Sequence, residues 1–396
     1  MKIAVLGGFG AMAEGALHYL AQNPKVKSIL AADIDLKKAP AILRGIPKSE
    51  KIKPVQVDVS NLKSAKLALK GVNSVLNASW YEFNLKAMDL SLALNAHYVD
   101  LGGLYHMTLK QLKKDREFKR QNRLAILGIG SAPGLSNLMA AHLAKDFDSL
   151  DTLGIYDASF DPALDKNKLI VPFSIKTLLD EHRQKAPILL NGKFVQVPAH
   201  SLAEEIDFKK PLGRMRVGTV IHSETATLPR FLKSKKVKNL FFKIGYPPAL
   251  KTQLEILEAA GFSSDNPVQI EGQKISPKSF LAALAKQNAQ NLSPANGKDF
   301  EILRVKASGT SQGQALEKIL DCEMSGNGKI SAGSLGVGIP AAIATLMMIK
   351  GQTLRSNGVF SPEEALNPVA VFKALVDLKI FNFVETVTKP ILRNHS

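Results

Sequence analysis

The chain is 396 residues long, which is more than one hydrophobic core usually serves, so two domains are expected. Its 52 Lys and Arg against 35 Asp and Glu give a formal net charge of +17. The basic clusters are short and mixed with acids, so the sequence predicts no nucleic-acid partner. Cys322 is the lone cysteine and no paired metal-ligand spacing occurs, so neither an intrachain disulfide nor a metal site is expected.

Hydrophobic residues make up 45% of the chain, which is enough for sizeable cores. No uninterrupted apolar run approaches eighteen residues, and the first residues lack the charged region, long apolar stretch and cleavage site of a signal peptide. The sequence therefore predicts no membrane partner and a cytoplasmic location.

A glycine-rich turn follows the first apolar run. The run Lys2–Leu6 leads into Gly8-x-Gly10-x-x-Ala13, the spacing of a dinucleotide-binding turn, and the residues after it have helical spacing. Glycines there allow a sharp turn and close approach of backbone to a pyrophosphate, which the helix N-terminus also attracts. The expected cofactor contacts in this turn are Gly7, Gly8, Phe9, Gly10, Ala11 and Met12.

An acidic residue ends the second apolar run, about 20 residues after the turn. Asp33 is expected to accept hydrogen bonds from the adenosine ribose, which favours NAD over NADP. Lys37 and Lys38 follow and offer charge for a 2′-phosphate, although a solvated helix start is the alternative interpretation of them. The sequence thus predicts NAD or NADP as the cofactor.

Six apolar runs alternate with helical stretches over the first 130 residues, which predicts a doubly wound parallel sheet, an α/β fold of the Rossmann type. The runs are 2–6, 28–33, 53–57, 74–78, 98–101 and 124–129. Ligands lie beyond the carboxyl ends of such strands. Two run ends therefore supply further cofactor candidates: Asp58, Val59, Asn77, Ala78 and Ser79. For Asp58 and Asn77, helix capping is the alternative.

The pattern changes after Gly130. Residues 150–330 contain irregular and alternating runs with turns rich in proline and glycine, which predicts an inserted α+β domain built on a mixed or antiparallel sheet. A second glycine cluster at 333–338 is interpreted as structural. Pro340 suits the first turn of a helix, and Ala341–Ile349 has the composition of a buried helix.

Four segments resemble the saccharopine dehydrogenase family, in particular its saccharopine reductase-like and carboxynorspermidine dehydrogenase-like branch. They span nearly the whole chain in the family's order: GGFGAMA at 7–13, HYVDLGG at 97–103, GSAPGLSN at 130–137, and GVGIPAAIATLMMIKG with GVFSPEEALNP between 336 and 368. The resemblance implies a Rossmann domain at 1–130, a substrate and dimerisation domain at 131–333, and a C-terminal helical segment at 334–396 that packs back on the first domain. It also implies a homodimer.

The resemblance further implies hydride transfer at a C–N bond of an amino-acid or polyamine-derived secondary amine, with one residue that shuttles protons and cations that hold substrate carboxylates. The catalytic candidates are Asp100, Tyr105, His222 and Glu224. For Asp100, an N-cap or a ribose contact is the alternative, and for His222 a hydrogen-bonded histidine at a strand end. The substrate-binding candidates are Arg214, Arg216, Pro133 and Gly134.

The sequence departs from the family pattern before the proline-glycine element. Leu127–Gly130 stands where some saccharopine reductases carry a cysteine, and Ala132 and Ser136 stand where an acid is common. Saccharopine itself is therefore not assigned as the substrate. A homospermidine synthase-like enzyme that recycles bound NAD and an inactive cofactor-binding protein are the alternatives.

Overall fold

A computed structural model describes residues 1–162, 169, 173–290 and 299–388. Its strands form two large sheets and one small hairpin. In chain order they are β1 (Lys2–Leu6), β2 (Ser28–Asp33), β3 (Ile52–Gln56), β4 (Ser74–Asn77), β5 (His97–Asp100), β6 (Leu124–Ile126), β7 (Ser149–Phe160), β8 (Ala186–Leu190), β9 (Lys193–Val197), β10 (Glu204–Asp207), β11 (Arg214–Thr219), β12 (Asn239–Gly245), β13 (Val268–Ile270), β14 (Gln273–Ile275), β15 (Phe300–Ser311), β16 (Gln314–Ser325), β17 (Gly358–Phe360) and β18 (Phe381–Thr388).

Helices connect most of the strands of the first sheet and flank the second. They are α1 (Ala13–Gln22), α2 (Ala39–Gly45), α3 (Leu62–Ala68), α4 (Asn84–Ala93), α5 (Leu104–Leu112), α6 (Asp115–Arg120), α7 (Leu135–Leu143), α8 (Ile175–Arg183), α9 (Glu224–Phe231), α10 (Pro248–Ala259), α11 (Pro277–Gln290), α12 (Ala332–Ile349), α13 (Pro362–Ala365) and α14 (Pro368–Val376).

The first sheet is parallel throughout, with the strand order β3-β2-β1-β4-β5-β6-β17. The first six strands have the order of a dinucleotide-binding sheet, which confirms the predicted fold class. The central strand β1 is buried from Ile3 to Leu6, as a strand covered by helices on both faces must be. A seventh strand, β17, comes from the C-terminal part of the chain and was not among the six predicted strands.

The second sheet is mixed and has the order β10-β11-β12-β7-β15-β16-β18, with β8 paired to β12 and β9 to β8. β7 and β12 form the parallel pair, and the other neighbours are antiparallel. β7, β15 and β16 each have twelve residues and form the centre of the sheet. This confirms an inserted α+β unit on a mixed sheet.

The C-terminal part of the chain joins both sheets. It supplies β17 to the first sheet and β18 to the second, so it is not purely helical as the sequence suggested. Its main helix, α12, begins at Ala332 and contains Pro340 in its interior, so the placement of Pro340 in a first helical turn is wrong. The domain boundaries at 130 and 333 stay predictions.

α12 packs closely against α1 through two glycines. A Cβ on Gly338 would clash with the backbone of Ala16, and a Cβ on Gly15 would clash with the carbonyl of Ser334. The absence of side chains therefore lets the two helix backbones touch. Among the described helices α12 alone is long and apolar enough to cross a membrane, and 78% of that stretch is buried inside the fold, as in a core helix.

Three helices beside the second sheet share a small separate core. α8 contributes Leu178 and Leu179, α10 contributes Leu254, and α11 contributes Leu281. The main core instead runs through the helices between the two sheets. The three helices therefore pack around a core of their own.

Candidate active site

A cavity of about 790 Å³ lies between the carboxyl ends of the first sheet's strands and the face of the second sheet. The first sheet contributes the turns after β1, β4 and β5, and the second sheet contributes residues of β7, β12 and β15. The first residues of α12 also line the cavity. This is the crevice in which doubly wound sheets bind ligands.

The glycine turn presents bare backbone to this cavity. Gly7 has φ of 65°, and a Cβ there would lie 2.8 Å from the carbonyl oxygen of Ala78, so no other residue fits without strain. Gly10 lines the cavity, and a Cβ there would have one near neighbour, the carbonyl of Gly7 at 3.2 Å. The turn therefore leaves the room beside backbone N–H groups that a pyrophosphate needs.

Asp33 lies beside this turn at the end of β2. Its carboxylate accepts a hydrogen bond of 3.1 Å from the N–H of Phe9 and one of 3.3 Å from the N–H of Asp35. Asp33 also lines the cavity. The structure thus brings the acid and the glycine turn together, as the ribose contact requires.

The other predicted cofactor residues divide into two groups. Met12, Ala78 and Ser79 line the cavity. Gly8 and Phe9 are buried behind the turn, Ala11 and Asp58 are exposed outside the cavity, and Val59 and Asn77 do not line it either.

Asn77 does not line the cavity itself but holds Ser79, which does. Its side-chain oxygen accepts hydrogen bonds from the N–H and the hydroxyl of Ser79, at 3.2 and 2.6 Å. Its amide donates to Asn84 at 2.9 Å. Asn77 therefore fixes the loop after β4 that carries Ser79 into the cavity wall.

His222 and Glu224 form a hydrogen-bonded pair at the start of α9. Nδ1 of His222 contacts the Oε2 atom of Glu224, and Oε1 of Glu224 accepts a hydrogen bond of 2.6 Å from the hydroxyl of Ser136. The imidazole stacks on the ring of Phe242 with 3.9 Å between centroids. His222 lines the cavity, and since Nδ1 is engaged by Glu224, Nε2 is the nitrogen available to a ligand.

Charge around His222 favours its protonated form. Burial acts to lower the pKa of the imidazole, but the charge and hydrogen bond of Glu224 and the charge of Glu181 outweigh it, so the pKa is raised. Glu224 is completely buried and does not line the cavity. The pair can therefore hold a proton at His222 and orient the ring.

Asp100 is fully buried and lies behind the cavity wall. It accepts hydrogen bonds from Gln111 (2.5 Å), from the N–H of Gly128 (2.6 Å) and from the N–H of Gly102 (3.0 Å). Burial raises the pKa of its carboxyl, and these bonds act against the rise. In this position Asp100 shapes the loops after β5 and β6 and does not reach the cavity.

The remaining candidates take different positions. Pro133 lines the cavity, and the buried Gly134 supports the same loop with φ of 126°. Tyr105 lies on α5 beside His106 and is absent from the cavity wall. Arg214 and Arg216 lie on the outer half of β11, with side chains 70% and 67% exposed and Glu205 within 4.0 Å of each. The structure does not bring these arginines to the cavity.

Three acids in the cavity wall were not predicted, of which Glu181 and Glu301 are buried and Asp157 is half-buried. Asp157 is on β7, Glu181 on α8 and Glu301 on β15. Each of the two strands is otherwise apolar around its acid, and a lone acid in a buried strand is the signal that marks it in the sequence. That signal does not show which cavity the acid faces.

Burial and nearby negative charge raise the pKa of all three acids. Burial raises the pKa of Glu181 and of Glu301 to about 7 in each case. Burial and the charges of Glu301, Glu224 and Glu181 raise the pKa of Asp157 well above its ordinary value. Glu181 accepts a hydrogen bond of 3.2 Å from Tyr246, and Glu301 one of 2.6 Å from Ser131.

A parallel sheet with a glycine turn at a cavity beyond its strand ends defines the class of dinucleotide-binding proteins. Two family models match consecutive parts of the chain. The saccharopine dehydrogenase NADP binding domain matches residues 3–126, and the saccharopine dehydrogenase C-terminal domain matches residues 130–379. The chain belongs to the saccharopine dehydrogenase family, and its cofactor is NAD or NADP.

Relatives of similar length occur among characterised proteins. A carboxyaminopropylagmatine dehydrogenase from Synechocystis is 24% identical over 378 residues, covering 92% of each chain. A carboxynorspermidine synthase from Vibrio cholerae is 25% identical over 389 residues, covering 91% of each. The chain is similar to both over nearly its whole length.

Solved structures share the fold. Apo saccharopine dehydrogenase (L-Glu forming) from Saccharomyces cerevisiae has a TM-score of 0.75 at 16% identity, covering 98% of this chain and 99% of that one. Homospermidine synthase from Legionella pneumophila, solved with NAD, has a TM-score of 0.69 at 13% identity, covering 100% and 93%. At these identities the likeness concerns the fold alone.

Proposed function

We propose that this protein is an NAD(P)-dependent oxidoreductase that acts at a C–N bond of an amino-acid or polyamine-derived secondary amine, by imine reduction or oxidative cleavage. One observation carries the proposal: a single cavity is lined both by the glycine turn with Asp33 and by His222. The names of the two relatives, a dehydrogenase and a synthase of carboxylated polyamines, support the amine substrate.

The first sheet supplies the cofactor half of the site. Gly7 and Gly10 leave room for the pyrophosphate, Asp33 receives the ribose hydroxyls, and Ser79 is held by Asn77 at the strand end beside them. A bound nicotinamide supplies or accepts the hydride. The protein therefore has to place the substrate carbon and manage protons.

His222 is the proposed proton carrier. Glu224 engages Nδ1 and stabilises the imidazolium, so Nε2 can give a proton to the departing water when an imine forms, or take one from water when an imine is hydrolysed. Phe242 covers one face of the ring and keeps its plane fixed. Glu224 acts through His222 and is a positioning residue in this proposal, as is Asp100 for the loops behind the site.

A binding test and a turnover test address this proposal. Purified protein is titrated with NADH and NADPH at two salt concentrations, followed by fluorescence, and binding of at least one nucleotide that survives salt is expected. Amine and carbonyl pairs are then screened for loss of reduced nicotinamide. His222→Ala is expected to slow turnover by about 10²- to 10⁴-fold, while His106→Ala, an exposed control on α5, leaves it unchanged.

Two outcomes of these tests would favour a different function. Product formation without net consumption of reduced nicotinamide favours a homospermidine synthase-like enzyme that recycles bound NAD. The fold shared with that enzyme is compatible with this alternative. Nucleotide binding with no turnover across the panel favours an inactive cofactor-binding protein. If neither nucleotide binds, the proposed oxidoreductase function is wrong.

A homodimer and a cytoplasmic location stay predictions. Light scattering of the purified protein tests the first, and a tagged chain located by fractionation tests the second.

A further inference from the structure

The cavity has the opposite charge from the chain as a whole. Although the sequence carries a formal charge of +17, the described residues that line the cavity include six acids and no Lys or Arg. The acids are Asp33, Asp157, Asp161, Glu181, Asp299 and Glu301. Asp33 belongs to the cofactor end, so the other acids surround the remaining space.

Asp157 lies at the centre of this acidic wall. It sits on β7 between Leu303 of β15 and Ile244 of β12 in the sheet register. Glu181, Glu224 and Glu301 are the charges that act on it. No ion pair of Asp157 with a basic side chain is found within the described ranges.

A second, independent observation indicates a polar ligand in the same space. Ser223 is 4% exposed and lines the cavity beside His222, yet its hydroxyl has no hydrogen-bond partner in the part of the chain that the structure describes. The indole N–H of Trp80, also in the wall, is likewise unpartnered there. Buried polar atoms are normally satisfied, so a bound molecule is expected to satisfy the hydroxyl of Ser223, which can accept from an N–H group. The N–H of Trp80 can only donate and needs an acceptor.

A metal ion does not fit this wall. The described residues contain no group of three or more His, Cys, Asp or Glu side chains placed to hold one. A dicarboxylate fits no better, because its two charges would face the acids of the wall with His222 as the one cationic side chain among the described lining residues. An organic cation with N–H donors matches the charge of the wall, and its N–H groups can donate to the hydroxyl of Ser223.

We infer that Asp157 is the specificity-determining residue that binds a cationic amine group of the substrate, so that the site takes a polyamine-type amine with an ammonium or guanidinium group beyond the reacting nitrogen and rejects a dicarboxylic amino acid. The inference rests on the proposed function, because it places this amine beside the reacting atoms. Glu181 of α8 lines the same cavity and adds a second acceptor for the same cation.

Calorimetric titration tests the assignment without turnover. Wild-type protein, with and without saturating NADH, is titrated with spermidine and with L-glutamate as probes of the two substrate classes. Spermidine is expected to bind more tightly than L-glutamate. Asp157→Asn is expected to weaken spermidine binding about tenfold or more, the loss of one charge-assisted hydrogen bond, with NADH affinity unchanged.

Asp151→Asn is the matched control, because Asp151 lies on the same strand but outside the cavity and pairs with Lys238 at 2.7 Å. It is expected to leave spermidine binding unchanged. Thermal melts check the fold of Asp157→Asn, which removes one of several like charges. The wild-type preference between the two probes needs no variant and stands as a separate test.

Equal spermidine affinity in wild type and Asp157→Asn, or tighter binding of L-glutamate than of spermidine, overturns the inference. A different result would contradict the proposed function. If neither nucleotide binds, the oxidoreductase proposal falls while the spermidine titration without nucleotide is still measured. If NADH binds and Asp157→Asn has no effect, the inference alone falls.

Discussion

The hydroxyl of Ser136 donates a hydrogen bond of 2.6 Å to the carboxylate of Glu224, 88 residues further along the chain. Ser136 lies in the first turn of α7, directly after the proline-glycine loop, and Glu224 begins α9. The same carboxylate holds His222. The contact thus ties the loop that carries Pro133 into the cavity to the orientation of His222.

Glu224→Gln should lower the pKa of His222. The carboxylate is the main influence that raises this pKa, and once it is removed the burial of the imidazole, which lowers the pKa, prevails. NMR titration of the labelled imidazole should show protonation at lower pH than in the wild type. The acid-side limb of the rate profile should move in the same direction.

Ser136→Ala serves as the graded comparison for Glu224→Gln. It removes one neutral donor and keeps the carboxylate, so a smaller downward or negligible change in the His222 titration is expected, with a loss of about 1 kcal/mol in the free energy of unfolding. An unchanged His222 titration in Glu224→Gln would show that the pair does not act as described.

Asp33→Ser should shift the nucleotide preference toward NADPH. The substitution removes a carboxylate that receives ribose hydroxyls and repels a 2′-phosphate, and Lys37 and Lys38 remain nearby in the sequence. We expect NADH affinity to fall about tenfold and NADPH affinity to rise, measured by fluorescence titration. Asp89→Asn, on α4 outside the cavity, is the control. If the affinities of Asp33→Ser for NADH and NADPH keep the wild-type ratio, Asp33 does not contact the ribose.

The cofactor half of the site could be predicted from sequence because its signals are local. Gly7, Gly10 and Asp33 lie within one strand–turn–helix–strand unit, whose geometry the spacing specifies. His222 was found in the same way, from the end of an alternating run. The first residue of a helix was harder to predict from the sequence. Pro340 resembles a helix start, but α12 begins at Ala332 because Ser331 caps it.

The substrate half could not be predicted because it depends on distant contacts. Asp157, Glu181 and Glu301 come from three separated elements, and no local pattern states that these elements converge. Arg214 and Arg216 had the right chemistry for carboxylate anchors, but the outer half of β11 extends into solvent. Sequence shows the charge of a residue more readily than the surface it faces.

Gly338→Ala should destabilise the contact between α1 and α12. Alanine is ordinarily the better helix former, by about 1 kcal/mol, but here its Cβ would clash with the backbone of Ala16 and lie 2.9 Å from the carbonyl of Met12. We expect a net loss of about 1–3 kcal/mol in the free energy of unfolding, measured by urea denaturation. NADH affinity should also fall, because Met12 lines the cavity.

Gly45→Ala is the matched control for Gly338→Ala, since a Cβ at Gly45, the last residue of α2, has no atom within 4 Å. It should leave the free energy of unfolding unchanged or raise it slightly. Equal stability of Gly338→Ala and the wild type would mean that the two helices separate without cost.

Glu363→Gln should make the protein more stable at pH 8 and leave it unchanged near pH 4.5. Glu363 is 3% exposed, and burial raises the pKa of its carboxyl from the ordinary 4.5 to about 7. Between these values the native state holds a proton that the unfolded state has lost, so stability falls as pH rises through this window. The full penalty, about 3 kcal/mol at most, applies above pH 7.

Glutamine removes this penalty because it stays neutral, and its oxygen can keep the 3.0 Å hydrogen bond from Asn137. The free energy of unfolding from urea denaturation at pH 4.5, 6 and 8 should therefore fall less steeply with pH in Glu363→Gln than in the wild type. Glu50→Gln, at an exposed position, should follow the wild-type curve. Parallel curves for Glu363→Gln and the wild type would show that Glu363 ionises at its ordinary pKa, because a buried carboxyl that kept its proton to neutral pH must bend the wild-type curve.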